Sequence, residues 1–287
     1  MHFGLAFGIL GTTFILLILL EQLFPLRPRT VAFLKRLWLN LAIAALAFFT
    51  AAIAVRPLGG FALRWSLQSS FGLLQWLSLP PIVKFCAGFL LMDLSFYYWH
   101  RANHKIPFLW RFHNVHHIDG DLDVSTAFRF HFGEILFSAG FRIAQVLLLG
   151  VTGWIYAAYE LVFQACTMFH HSNLRLPLRL ERILNQIVVT PRMHAIHHSQ
   201  MERETNSNYS TVFAWWDRLH RSLELSIPQS ALRIGVPAYT GCEDQDFVEC
   251  LRLPFVAQRD YWRNAEGEIP TRRSEVRPTI SRTEMAD

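Results

Sequence analysis

The sequence predicts an all-α protein: an integral membrane helical bundle of about four transmembrane helices, with a cytoplasmic helical cap carrying a histidine-ligated dinuclear metal site. Three observations predict it. Of the 287 residues, 52% are hydrophobic and 14% aromatic, with a mean hydropathy of +0.23, too apolar for an ordinary soluble domain of this length. The apolar residues gather into runs long enough to cross a bilayer as helices. Eleven of the thirteen histidines fall between His100 and His198, a concentration that packing does not call for.

The elements follow in chain order. Residues 3–20 are an apolar run with no positive charge in front and no small-residue cleavage site behind, so a retained helix is favoured over a signal peptide. Residues 25–36 carry Arg27, Arg29, Lys35 and Arg36 and no acid. By the positive-inside rule they face the cytoplasm, which puts the N-terminus outside. A second span over 37–55 ends at Arg56-Pro57, with Gly59-Gly60 as a turn signal. Residues 61–79 contain Arg64, Gln68, Ser69, Ser70 and Gln75 and read as an interfacial or re-entrant segment. A third span over 82–99 returns to the cytoplasm and delivers His100 there. Residues 133–169 are apolar again, broken at Gly150-Val151-Thr152-Gly153, which suits a helical hairpin. This topology gathers the histidine clusters on one face.

Three regions result: an N-terminal transmembrane and interfacial region over 1–80, a histidine-bearing region over 81–227, and a polar C-terminal extension over 228–287. Residues 264–287 have almost no core-forming side chains and are expected to be disordered. The net charge of +5 is compatible with nucleic acid, an anionic membrane surface or topology alone. With spans this apolar, topology and lipid contact are the better readings, and no nucleic-acid partner is expected. Cys86, Cys166, Cys242 and Cys250 show no CxxC spacing and imply neither disulfides nor a zinc ribbon.

His100 and His104 stand at i and i+4, so on a helix continuing past the third span both rings leave from one face. Asp93 and Tyr97 lie on the same face. Asp93 is a candidate to orient an imidazole, beside the alternative of a buried structural acid. His113, His116 and His117 form an HxxHH pattern that recurs at His194, His197 and His198. Each copy is expected to bring three nitrogens to one locus. His171 ends the hairpin, on a face that also carries Thr167, Gln164 and Glu160. His131 precedes the hairpin, three residues before Glu134, as an additional candidate. His2, His170 and His220 are read as surface or satisfied buried residues.

Imidazole suits zinc, copper, iron and nickel, so ligand type alone does not choose the metal. Nine or ten imidazoles exceed the four a single zinc takes, and indicate two ions. A zinc peptidase needs a glutamate inside its helix motif, as in HExxH, and none stands there. The Glu-x-x-His ligands of soluble di-iron bundles are also absent. A histidine-rich metal transporter is an alternative, although transporters place ligands near the bilayer midplane, and a di-zinc membrane hydrolase is another.

The order HxxxH (His100, His104), HxxHH (His113, His116, His117) and later HxxHH (His194, His197, His198) resembles the fatty acid hydroxylase and sterol desaturase superfamily of membrane di-iron oxygenases. His131, the segment His171-Ser172-Asn173, Asn208-Tyr209 and Trp215-Trp216-Asp217-Arg218-Leu219 also match. The resemblance is strong over about residues 80–225. One departure is Leu219-His220-Arg221-Ser222, where many relatives have Leu-Phe-Gly-Thr. The resemblance implies that 81–227 is the catalytic region of an oxidoreductase. It implies two iron ions cycling between Fe2+ and Fe3+, held by His100, His104, His113, His116, His117, His131, His171, His194, His197 and His198. No catalytic residue is expected beyond these ligands; Asp93, Glu134, Glu160 and Asn173 are candidates to support them. The expected reaction hydroxylates or desaturates a fatty acyl, sterol or related lipid taken from the bilayer, with O2 as co-substrate. Without CxxCH or a cysteine cluster in the chain, electrons are expected from a separate ferredoxin, cytochrome b5-like protein or reductase.

Overall fold

The structure is a computed structural model that describes residues 3–272; His2 and most of the expected tail lie outside the described residues. Among the described residues helices account for all regular structure, and extended segments meet only as isolated bridges such as Val188 with Phe213. The long helices are α1 (Phe3–Leu23), α2 (Phe33–Thr50), α3 (Arg56–Gln68), α5 (Pro81–Lys105), α7 (Phe132–Leu149) and α8 (Gly153–His171). Between and after them lie α4 (Leu73–Trp76), α6 (Pro107–His117), α9 (Leu178–Leu184), α10 (Pro191–His197), α11 (Glu202–Thr205), α12 (Trp215–Leu219) and α13 (Phe247–Arg252).

Four stretches are long and apolar enough to cross a membrane: Gly4–Leu23, Phe33–Trp76, Pro81–Lys105 and Phe132–Leu149. Large apolar side chains on them, including Phe7, Ile15, Trp38, Phe49, Ile53 and Phe61, are exposed, as a lipid-facing surface requires and a soluble surface disfavours. The chain is a membrane protein. A further arm, α8, packs against α1 and α5, and its Glu160, Gln164 and Thr167 make it more polar than the others.

The second span does not stop at Arg56-Pro57 as expected. It passes through a π-helical turn, Ala51–Val55, and continues as α3 to Gln68. In the π turn the Arg56 amide reaches back to Ala51 O. Pro57 then falls at the restart of α-helical pairing, where its missing N–H disrupts least. Residues 61–68 are therefore helix continuous with the second span. The chain reverses at 69–72, where Gly72 (φ 112°) packs on Gly150 (φ 65°) at the end of α7. A Cβ on Gly72 would stand 2.4 Å from the Gly150 backbone, so the turn closes only with glycine at both positions.

The opposite end of the bundle is polar and holds the histidines. Glu21, at the end of α1, accepts from the amides of Asn173 (2.9 Å) and Val124 (3.1 Å). Arg36, at the start of α2, pairs with Asp119 and Asp123, and Asn40 donates to Asp119 (3.0 Å). Burial works against the Asp123 charge, but the Arg36 guanidinium holds its carboxyl below the usual range. These contacts tie the ends of α1, α2 and α8 to the loop between α6 and α7. Two of the arginines counted as positive-inside charges, Arg27 and Arg36, are buried in this layer.

After residue 228 the chain remains packed: Val236, Tyr239, Cys250 and Leu253 form a core with Ile43, Trp110, Val115 and Ile118. The first residues of the expected tail are also placed, with Arg272 against Glu204.

Candidate metal centre

Helix α5 runs through His100 and His104 and ends at Lys105. Pro107 forces Ile106 into an extended conformation (φ −97°, ψ 111°), which breaks the helix and starts α6 in a new direction. The break folds His113, His116 and His117 back over His100 and His104. The second HxxHH sits on the seven-residue α10, opened by Pro191 after the extended Thr190.

Nine histidines gather in two groups, one of His100, His104, His113, His117 and His197, the other of His116, His171, His194 and His198. Within each group one nitrogen per ring lies within 4.8 Å of the others. Each HxxHH divides between the groups instead of serving one locus. The i and i+4 rings stay together, while the i+3 ring, about 100° round the helix from i+4, turns to the other group. The division is reciprocal: His113 and His117 join the first group and His116 the second, whereas His194 and His198 join the second and His197 the first.

The outer nitrogens fix what the inner ones can do. His100 Nδ1 lies 2.8 Å from Tyr209 O and His197 Nδ1 lies 2.6 Å from Ser207 O. A carbonyl only accepts, so in both rings the proton is on Nδ1 and Nε2 is a bare lone pair. Those two Nε2 atoms face each other at 3.1 Å, a repulsive contact without a cation between them. In the second group His171 Nδ1 donates to Thr167 O (2.8 Å), and its Nε2 lies 3.1 Å from His116 Nε2 and 3.0 Å from His194 Nε2. His113 Nδ1 donates to Glu134 Oε1 (2.8 Å). The buried Nε2 atoms of His104, His113 and His117 have no hydrogen-bond partner, an arrangement that buried polar groups rarely keep unless a ligand completes it. Burial and the neighbouring imidazoles hold His116, His117, His194, His197 and His198 well below their usual pKa, which keeps them in the neutral form that ligates metals. The residues therefore fit two cations.

Not every expected residue reaches the groups. His131 caps α7, accepting from the Gly133 amide (3.0 Å) through Nδ1 and donating to Leu251 O (3.1 Å) through Nε2; both nitrogens are committed to backbone. Of the supporting acids and amide, only Glu134 touches a histidine. Asp93 accepts from the Phe213 amide (3.0 Å) and Trp216 Nε1 (2.7 Å). Asn173 bonds Arg27 and Glu21, and Glu160 pairs with Arg142 (2.9 Å). His220 stacks on Tyr97. His170, read as bland, is buried with its ring 4.1 Å from that of His194.

The orienting carbonyls of Ser207, Tyr209 and Thr167 are invisible to side-chain reasoning, but Asn208 and Asp217 mark two of them. Asn208, at φ 52°, donates to Met193 O (2.9 Å) and Glu224 O (2.7 Å), and Asp217 accepts from the amides of Tyr209 (2.9 Å) and Ser210 (2.8 Å). In this way the Asn-Tyr and Trp-Asp elements hold the loop that aims His100 and His197. Arg221, within the departing segment Leu219-His220-Arg221-Ser222, is left-handed at φ 58°.

A cavity of about 230 Å3 reaches from the histidines into the bundle between α2, α5, α7 and α8, walled by Ala44, Ala47, Phe48, Phe96 and Phe163 with His116, His171 and His194 at one end.

Residues 85–222 match the fatty acid hydroxylase family. An ornithine lipid hydroxylase of Rhizobium tropici is 31% identical over 193 residues, 66% of this chain and 55% of that protein. Cholesterol 25-hydroxylase of Homo sapiens is 30% identical over 154 residues, 51% of this chain and 53% of its own length. Alkylglycerol monooxygenase of Homo sapiens is 29% identical over 139 residues, 48% of this chain and 30% of its own. The chain spans about half the length of these relatives or less. No solved structure matches it. The matched residues contain all nine gathered histidines together with the loop that aims them, and on that ground the chain belongs to the fatty acid hydroxylase superfamily.

Proposed function

We propose that this chain is a membrane-bound di-iron oxygenase that hydroxylates a lipid drawn from the bilayer. The observation that carries the proposal is the pair of all-histidine groups, with protein-fixed lone pairs pointing inward, at the mouth of an apolar cavity between membrane helices. Imidazole ligation suits iron; iron in this site would supply O2 activation, with the balance R–H + O2 + 2 e− + 2 H+ → R–OH + H2O and electrons from a separate donor protein. His100, His104, His113, His117 and His197 would hold one ion and His116, His171, His194 and His198 the other. His131 is left out of the set.

The protein's own contribution is positional. Carbonyls of Ser207, Tyr209 and Thr167 and the carboxylate of Glu134 fix ring orientation, which sets ligand geometry and basicity. The walls of Phe96 and Phe163 exclude water and accept hydrocarbon, so a C–H bond can meet the metals away from competing solvent. Relatives named as hydroxylases and monooxygenases favour hydroxylation over desaturation. The metal side is assigned to the cytoplasm from Arg27, Arg29, Lys35 and Arg36, which lie at that end of the bundle.

Metal analysis of the detergent-purified protein, with O2 uptake under reductant, tests the reading. About two irons per chain and lipid-dependent O2 consumption are expected. Two zinc ions without redox activity would indicate a hydrolase instead, and metal uptake into vesicles would indicate a transporter.

A further inference from the structure

About 16 Å along α8 from His171, estimated from helical rise, Glu160 meets Arg142 of α7 at 2.9 Å. Both line the cavity. An ion pair at this depth is costly, and in membrane proteins such groups mark substrate paths more often than packing. Arg142 is held firmly: its guanidinium lies against the rings of Phe96, Tyr159 and Phe163 and donates to Gln145 Oε1 (3.0 Å). Gln145 is itself anchored to Met92 O and Ser95 Oγ. Glu160 is different. Among the described residues it has no partner but Arg142, and 26% of its side chain stays accessible, so an acceptor faces the cavity with capacity to spare. A lock between α7 and α8 would need no such opening. On the same face Gln164 and Thr167 continue the polar line to the histidines.

We propose that the Arg142–Glu160 pair is the polar recognition point of the substrate chamber and selects a lipid bearing a neutral group that both donates and accepts hydrogen bonds, a hydroxyl, about 16 Å from the carbon that is oxidised. The pair is electroneutral, so a lone carboxylate would oppose Glu160 and a lone ammonium would oppose Arg142, while a zwitterion would have to strip the water from both of its charges to reach a site walled by Phe96 and Phe163. A hydroxyl accepts from the guanidinium and donates to the carboxylate without stranding either charge. An alkane end would leave the spare acceptor unmet. The chamber thus takes its substrate with the polar end deep in the bundle and the apolar end at the histidines.

The inference rests on the reading of the cavity as the substrate chamber, and the test separates the two. Full-length protein in nanodiscs is photolabelled with two probes of equal length, each with a diazirine near one end: a 1-dodecanol derivative and the corresponding dodecane. The alcohol is expected to label residues near the histidines, such as Phe130 and Thr167, about tenfold or more above the alkane, in a manner competed by 1-dodecanol. In the double variant R142M/E160M, which removes the pair without leaving a lone charge, this preference is expected to vanish while alkane labelling persists. Equal labelling by both probes in the unaltered protein, or an undiminished preference in the variant, overturns the assignment of the pair. Failure of both probes to label the chamber removes the chamber itself. Persistence of alkane labelling in the variant also shows that it is folded.

Discussion

The two HxxHH motifs have the same sequence spacing and opposite supports. The first lies on α6, an eleven-residue helix, and its His113 is oriented by a side chain, Glu134. The second lies on seven-residue α10, and its His197 is oriented by a loop carbonyl, Ser207 O, which exists only because Asn208 and Asp217 hold that loop. Both helices are too short to be stable alone, but the two-turn α10 makes fewer hydrogen bonds of its own and leans more on tertiary contacts than α6 does. The same metal-binding pattern is therefore sensitive to different kinds of change at its two copies.

The largest expected effect treats the copies alike. His116→Ala and His197→Ala each remove one inward nitrogen from opposite groups and are expected to lower bound metal and abolish O2 uptake, while His220→Ala retains metal; equal loss in His220→Ala would contradict the grouping. Glu134→Gln should then expose the first copy's support, weakening metal retention by about 10–100-fold with little change in melting temperature, as measured by competition with a chelator. Asn208→Ala should expose the second copy's. Loss of its three hydrogen bonds is expected to cost roughly 3 kcal/mol and to loosen metal at the same time; an unchanged melting temperature would show that α10 does not need the loop.

Acid should act on both copies of the metal-stripped protein. The histidines of the motifs sit well below the usual 6.5 in the folded state, so the unfolded chain binds more protons and stability rises with pH. Stability is complete above about pH 6.5 and is lost progressively as the pH falls below it; a melting temperature flat between pH 7 and pH 5 would refute this. The smallest effect concerns the second copy's loop alone. Arg221→Gly relieves a left-handed residue and is expected to stabilise by about 1 kcal/mol.

Much of this was legible beforehand because it is local. The i, i+4 pairs, the helical continuation from the third span to His104, and the apolar stretches all follow from repeat geometry and composition. The second span's end was misread because Arg56-Pro57 and Gly59-Gly60 carry a turn signature, and no local pattern announces a π turn that admits the proline. His131 was drawn in by its neighbourhood in sequence, yet its ring is spent on backbone at the α7 cap and on Leu251, 120 positions away. His170 reads from the sequence as a surface or satisfied buried residue, and its ring packs on that of His194.

By itself the sequence determined the helices, their apolar faces and which histidines share a helix face, because covalent geometry fixes side-chain direction over four residues. Only the tertiary structure decided that each triplet is shared between two groups, that backbone carbonyls set the tautomers of His100, His171 and His197, and that Arg142 and Glu160 meet inside one cavity. Except for the Thr167 carbonyl, which sets His171 from one helical turn away, those outcomes depend on segments from ten to about a hundred residues apart, whose relative placement is fixed by packing and buried polar contacts rather than by any spacing along the chain.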